Sequence, residues 1–251
     1  MDSLKKERYA RNILLEEIGT LGQEKIINSK ILVIGCGGLG SSCLYYLAAA
    51  GVGCIGIIDH DKIEISNLQR QIIHCNSDIG SYKVDSAQKK ILALNNEIKV
   101  NKYKIKADLE NIKPIIKNYD IIIDATDNFS SRFIINKLSY QYKKPLVFAA
   151  VKGFTGHISI FKSYESKNPC YECFNPSSNE KIKPLPIAQK GIFSPIPGIL
   201  GAHQAFVALR EILKIGESIV GKIIIMNFLK NTTKTIKLNK NPNCSICNAN
   251  L

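Results

Sequence analysis

A glycine-rich loop, two carboxylates and two cations stand where this chain could hold a nucleotide and work on its phosphates. Gly35-Cys36-Gly37-Gly38-Leu39-Gly40 follows the apolar run Lys30-Ile31-Leu32-Val33-Ile34 and opens a segment of helical composition. Glycines in that setting make a tight turn and let backbone approach a phosphate, while loop amides and the following helix dipole favour an anion. Asp59 lies 19 residues beyond Gly40, about where an acidic side chain accepts ribose hydroxyls in a dinucleotide fold. Up to this point NAD fits as well as ATP. Arg70 and Lys83 tilt the balance, because two cations close behind the loop suit a polyphosphate better than hydride transfer. Asp127, in Thr126-Asp127-Asn128, is a carboxylate able to hold Mg²⁺, a hard ion that prefers oxygen ligands. Each residue also has an ordinary reading: Asp59 as a turn cap, Arg70 and Lys83 as surface charges, Asp127-Asn128 as a helix N-cap. Their joint placement favours phosphate chemistry.

The eight cysteines fall into two groups. Cys36, Cys43, Cys54 and Cys75 are single residues in the strand-helix half and read as apolar thiols. Cys170-Tyr171-Glu172-Cys173 and Cys244-Ser245-Ile246-Cys247 are paired CxxC motifs, which favour structural zinc over redox dithiols in a cytosolic chain. Four thiolates leave no open position for water, so the expected role is to pin the chain end back onto the earlier segment.

These residues need a scaffold that brings strand ends together. Residues 4–27 carry an amphipathic pattern with Leu4, Ile13, Leu14, Ile18 and Leu21 as its stripe, and read as helix. The runs 30–34, 54–58, 119–125 and 146–150 read as buried strands and 99–105 as an alternating one, with helices over 41–50, 81–94, 109–117 and 130–142 between them. Strands alternating with helices predict an α/β, Rossmann-like, doubly wound, mainly parallel sheet whose ligand lies beyond the strands' carboxyl ends. After Val151 the pattern changes to a half-exposed strand at 157–161, a Pro-, Ser- and Asn-rich stretch over 163–197, a helix over 198–215 and a closing hairpin around Lys230-Asn231. The expected organisation is a single domain over 1–251, with residues 1–150 as the nucleotide-binding half and 151–251 as the half bearing C-terminal antiparallel strands and the four-cysteine zinc module.

With 251 residues the chain can bury one substantial core. The net charge of +13 is mostly scattered Lys among many Ile, Asn and Tyr, the pattern of AT-rich codons, so nucleic acid is not the expected partner. Neither a signal-like start nor a membrane-spanning run is present, which predicts a cytoplasmic, soluble protein.

The sequence resembles the ThiF/MoeB/HesA family, bacterial relatives of the ubiquitin-activating enzymes. The resemblance runs from Arg8-Tyr9-Ala10-Arg11-Asn12 through the glycine loop, Ser66-Asn67-Leu68-Gln69-Arg70-Gln71, Gly80-Ser81-Tyr82-Lys83 and Ala125-Thr126-Asp127-Asn128 to the paired CxxC. It implies an ATP site drawn from Gly38, Gly40, Asp59, Asp61, Ser66, Asn67, Leu68, Gln69, Arg70, Lys83, Asp127 and Asn128. It also implies Arg70, Lys83, Asp127 and Arg11 as the residues that act on phosphate, with Arg11 reaching into a neighbouring subunit of a homodimer. The implied reaction is adenylylation of the Gly-Gly carboxylate of a small ubiquitin-like sulfur-carrier protein with Mg²⁺ and ATP, for thiamine or molybdopterin biosynthesis. Peptide or tRNA substrates, an NAD-dependent oxidoreductase and a noncatalytic scaffold stay as alternatives. Some family members carry a further cysteine on a loop crossing the site; residues 183–191 contain none, and no rhodanese-like domain follows Cys247. The expectation is therefore a separate persulfide sulfur donor.

Overall fold

Short apolar runs separated by helices build one eight-stranded sheet in the computed structural model, which describes residues 1–165, 167–176 and 191–248. Strands β1 (Lys30–Ile34), β2 (Cys54–Ile58), β3 (Lys99–Tyr103), β4 (Ile121–Asp124) and β5 (Leu146–Lys152) are parallel, in the order β3-β2-β1-β4-β5. Antiparallel strands β6 (Thr155–Phe161), β7 (Lys222–Asn227) and β8 (Thr232–Lys237) extend the same sheet beyond β5. This is the doubly wound α/β class that the strand-helix alternation predicts, with the antiparallel addition after residue 151.

The period-two geometry of β1 distributes its side chains to two cores. Ile31 and Val33 join the apolar faces of α4 (Gly38–Ala50), α5 (Lys83–Leu94) and α9 (Pro195–Leu213). Leu32 and Ile34 turn to the opposite layer, against α6 (Leu109–Ile116) and α7 (Phe129–Gln141). Edge strand β8 is exposed along its length, and its Thr and Lys residues keep that edge polar.

The amino-terminal expectation needs correction. In place of one helix over 4–27 there are three: α1 (Ser3–Arg8), α2 (Ala10–Ile13) and α3 (Gly19–Asn28). Gly19, the first residue of α3, adopts φ 57°, a left-handed value that breaks a continuous helical path from α2. Leu4, Leu14 and Leu21 of the apolar stripe face solvent. Tyr9 is the buried anchor instead, packed over Gly51 and accepting a hydrogen bond from Asn95 Nδ2 at 2.9 Å.

Order β2-β1-β4 makes β1 and β4 neighbours whose connections leave to opposite faces, which opens a crevice at their carboxyl ends. The glycine loop occupies that point. Gly35 has φ 104°, and a Cβ there would lie 2.6 Å from the Ala125 carbonyl oxygen. A Cβ on Gly40 would lie 2.0 Å from the Gly35 carbonyl oxygen, so helix α4 approaches the loop closer than any side chain allows. Gly40→Ala should lower the denaturant midpoint by the equivalent of about 1–3 kcal/mol at unchanged m-value. A wild-type midpoint would mean that loop and helix separate without cost.

Candidate functional site

A cleft of about 630 Å³ lies over the carboxyl ends of the parallel strands. Gly38, Asp59, Asp61, Arg70, Lys83, Asp127 and Asn128 all line it, although they come from five separate stretches of sequence. Gly40, Ser66, Asn67, Leu68, Gln69 and Arg11 are not part of its lining. Gly40 sits beneath the loop, as its packing on Gly35 requires. Ser66 and Asn67 build a 3₁₀ turn, Ile65–Asn67, in which the Asn67 side chain accepts the Glu64 amide while the Ser66 carbonyl accepts Arg70 Nη1 at 3.1 Å. These residues aim Arg70 into the cleft. Arg11 is exposed on α2, fixed through its neighbours Tyr9 and Asn12, the latter donating to Gln23 Oε1 at 3.1 Å.

Asp59 ends β2 with each carboxylate oxygen on a backbone amide, Oδ2 on Cys36 at 2.7 Å and Oδ1 on Asp61 at 2.9 Å. Burial raises its pKa above the ordinary carboxylate value, and the Lys83 charge and the two amides oppose that rise. Each oxygen keeps a further lone pair for a ligand hydroxyl. Lys83 begins α5, where the helix dipole disfavours a cation. Asp61 offsets this with a 2.7 Å ion pair to Lys83 Nζ, held in register by the Lys83 amide on the Asp61 carbonyl.

The β4–α7 turn presents Asp127. Asp124 is fully buried at the strand end and accepts both the amide and hydroxyl of Thr126, at 2.9 and 2.6 Å. Asn128 caps α7 by accepting the Ser131 amide at 2.9 Å. Between these two fixed residues the Asp127 carboxylate is exposed to the cleft and accepts no hydrogen bond from the described residues. An uncommitted carboxylate facing a phosphate loop fits a divalent cation.

Three lining or supporting residues were not legible in the sequence. Arg132, 9% exposed, donates from Nη2 to the Thr126 carbonyl at 2.9 Å. Gln71 lies beside Gly37, with a buried Oε1 that finds no partner among the described residues. His74 is buried under the loop, with Nε2 3.2 Å from the Cys36 carbonyl and Nδ1 2.9 Å from Ser86 Oγ. Only Gln71 carried a local signal, its place next to Arg70. Cys36 itself is fully buried and burial pushes its thiol well above the ordinary value, which makes it inert.

The two CxxC motifs converge. Cys170 Sγ lies 3.9 Å from Cys173 and 3.5 Å from Cys244, and Cys173 lies 3.5 Å from Cys247. A tetrahedral zinc with Zn–S of about 2.3 Å has S–S edges of about 3.8 Å. The surroundings fit thiolates as well: the Asn241 amide donates to Cys173 Sγ at 3.3 Å. Buried Asn136 holds the Cys170-Tyr171 segment, its Oδ1 accepting the Tyr171 amide at 3.0 Å. Four clustered thiolates, three of them buried, repel one another unless a dication sits among them.

The sequence profile of the ThiF family matches residues 9–246. The chain belongs to the ThiF family. The sulfur carrier protein adenylyltransferase of Thermus thermophilus is 34% identical over 244 residues, covering 96% of this chain and 90% of that protein. The probable molybdopterin-synthase adenylyltransferase of Gracilaria tenuistipitata var. liui is 42% identical over 239 residues, covering 95% of this chain and 66% of that one. Among solved structures, E. coli MccB with ATP superposes with a TM-score of 0.83 at 26% identity, over 96% of this chain and 74% of MccB. Within this ThiF-family fold, residues 183–190 of the cysteine-free loop lie outside the described residues. No helix among the described residues is long and apolar enough to cross a membrane.

Burial pulls the His74 pKa from 6.5 down to about 4. The unfolded chain therefore binds a proton that the folded one refuses between those values. Stability should be full above about pH 6.5 and fall as pH drops towards 4, by up to about 3 kcal/mol. His74→Gln should flatten that part of a pH–stability curve measured by denaturant unfolding, and an unaltered slope would remove His74 as its source.

Proposed function

We propose that this chain adenylylates the terminal glycine carboxylate of a small ubiquitin-like sulfur-carrier protein ending in Gly-Gly, consuming ATP and releasing pyrophosphate. The observation that carries the reading is the convergence of Arg70, Lys83 and Asp127 on one cleft with the glycine loop. The names of the Thermus and Gracilaria relatives support the same reaction, the Gracilaria name for molybdopterin synthase; the pathway served is thiamine or molybdopterin biosynthesis. A nicotinamide site accounts for the loop and Asp59 and leaves those three charged residues without a task.

The substrate carboxylate is ionised near neutral pH, so the reaction needs no general base. What the residues supply is alignment and charge. Asp59 takes the ribose hydroxyls, the amides near Gly37 and Gly38 take phosphate oxygens, and Arg70 and Lys83 meet the charge that builds up on the leaving pyrophosphate. Asp127 would hold Mg²⁺, which neutralises phosphate charge when bound. Cys170, Cys173, Cys244 and Cys247 would hold zinc as a closed structural site that ties the chain end to α8 (Tyr171–Phe174). Arg11, exposed and outside its own cleft, serves the cleft of a second subunit in a homodimer. Sulfur then reaches the adenylate from a separate persulfide donor.

Intact-mass measurement of Gly-Gly carriers from each pathway after incubation with Mg-ATP tests the reaction. One carrier should gain an adenylate, and Arg70→Ala or Asp127→Ala should cut the rate at least about a hundredfold. A mass gain only on a short peptide would transfer the reading to the type of substrate suggested by the MccB structures with MccA. No mass gain on either would overturn it.

Subunit mixing tests Arg11. Arg11→Ala and Arg70→Ala homodimers should each be inactive, whereas mixing them should restore about a quarter of wild-type activity, because half the dimers are mixed and each has one intact site. An Arg11→Ala homodimer with full activity would exclude the trans role.

A further inference from the structure

Helix α7 runs between the Asp127 turn and the four-cysteine cluster. Asn128, Arg132, Asn136 and Tyr140 recur every four residues, so they lie along one face of that helix. At the near end Asn128 is the cap, and Arg132 holds the Thr126 carbonyl beside Asp127. At the far end Tyr140 packs on the cysteine cluster. Asn136 spans the middle: its Oδ1 accepts the amide of Tyr171, the residue after Cys170, at 3.0 Å.

A second set of contacts runs in parallel. The Arg132 guanidinium lies 5.4 Å from the Phe148 ring centre, and that ring lies 5.0 Å from Tyr171, the residue following Cys170. Arg132 is thus clamped between the turn that presents Asp127 and the segment that presents a cysteine ligand. Its Nε is buried without a partner, so the side chain has no competing anchor at that atom.

We propose that α7 couples metal occupancy of the four-cysteine cluster to the geometry of the Asp127 turn, with Arg132 as the positioning residue. The proposal rests on the adenylylation reading for what binds at Asp127. A metal that draws the four sulfurs together fixes the Cys170-Tyr171 segment, and the Tyr171 amide on Asn136 Oδ1 passes that constraint to α7 along its axis. Arg132, one turn earlier, then holds the Thr126 carbonyl in a single place. Because coupling between two binding sites is reciprocal, nucleotide in the cleft must tighten the metal to the same degree that the metal tightens nucleotide.

The test is zinc affinity of the purified protein, measured by competition with a chromophoric chelator, with and without saturating Mg-ATP. The same nucleotide in protein-free buffer corrects for zinc bound by ATP itself. Wild-type protein should hold zinc about fivefold more tightly, or better, when nucleotide is present. In Arg132→Gln and in Asn136→Ala that gain should vanish while zinc still binds, and Arg132→Lys should restore only part of it. A gain that persists in both variants, or none in wild type that demonstrably binds ATP, overturns the coupling. Failure of wild type to bind ATP would instead overturn the adenylylation reading, and protein without stoichiometric zinc the metal assignment. If Arg132→Gln does not fold, the comparison of Asn136→Ala with wild type decides alone.

Discussion

Backbone packs directly on backbone where β1 and β4 part. Gly35 faces the Ala125 carbonyl, Gly40 faces the Gly35 carbonyl, and Gly201 of α9 faces the Leu39 carbonyl, each closer than a Cβ permits. Three such contacts in series stack β4, the glycine loop, α4 and α9. A Gln204 amide from α9 adds a 2.7 Å bond to the Asp124 carbonyl just below the turn. The loop amides are therefore immobilised before any ligand arrives, and the proposed phosphate site would incur little ordering cost on binding.

Charges in the cleft are placed against local preference and then compensated. A lysine at the first position of a helix opposes the dipole, and a buried aspartate at a strand end is driven towards its neutral form. The 61–63 segment resolves both, since it pairs with residues 80–83 and so delivers the Asp61 carboxylate to Lys83 and the Asp61 amide to Asp59. Such conflicts between local rule and global placement are expected at sites kept for function.

How far the sequence could be read follows from the range of the forces involved. Strand runs, the glycine loop, Asp59, the closing hairpin and the cysteine pairs are visible because short-range periodicity and spacing encode them. The amino-terminal stretch misled because the apolar pattern over 4–27 served surface positions, while a single aromatic, Tyr9, found its pocket against Gly51 far along the chain. Arg132 and His74 were invisible for a related reason. An Arg four residues after a helix cap and a His in a loop look ordinary until tertiary packing brings them to the Thr126 and Cys36 carbonyls. Ser66 and Asn67 belong to a conspicuous motif, and in the fold they build the turn behind Arg70.

The inventory of cations in one subunit bears on why a second subunit would be needed. A triphosphate brings several negative charges into a cleft walled by five cations, Arg70, Lys83, Lys106, Arg132 and Lys152. Lys83 is paired with Asp61, and Arg70 is tied to the Ser66 carbonyl. Asp59, Asp61 and Asp127 add negative charge of their own to the same walls. The five cations outnumber the three carboxylates, and Asp61 is committed to Lys83. On the proposed reading, a divalent ion at Asp127 would cancel the charge of that carboxylate and add positive charge of its own. In the proposed homodimer, Arg11 of a neighbouring copy, on a short helix locked by Tyr9 and Asn12, would add a further cation without the cost of burying it unpaired in the empty site. Under that proposal, assembly would couple catalysis to the oligomer, because a lone chain could admit nucleotide and still lack one of the charges that stabilise its breakdown.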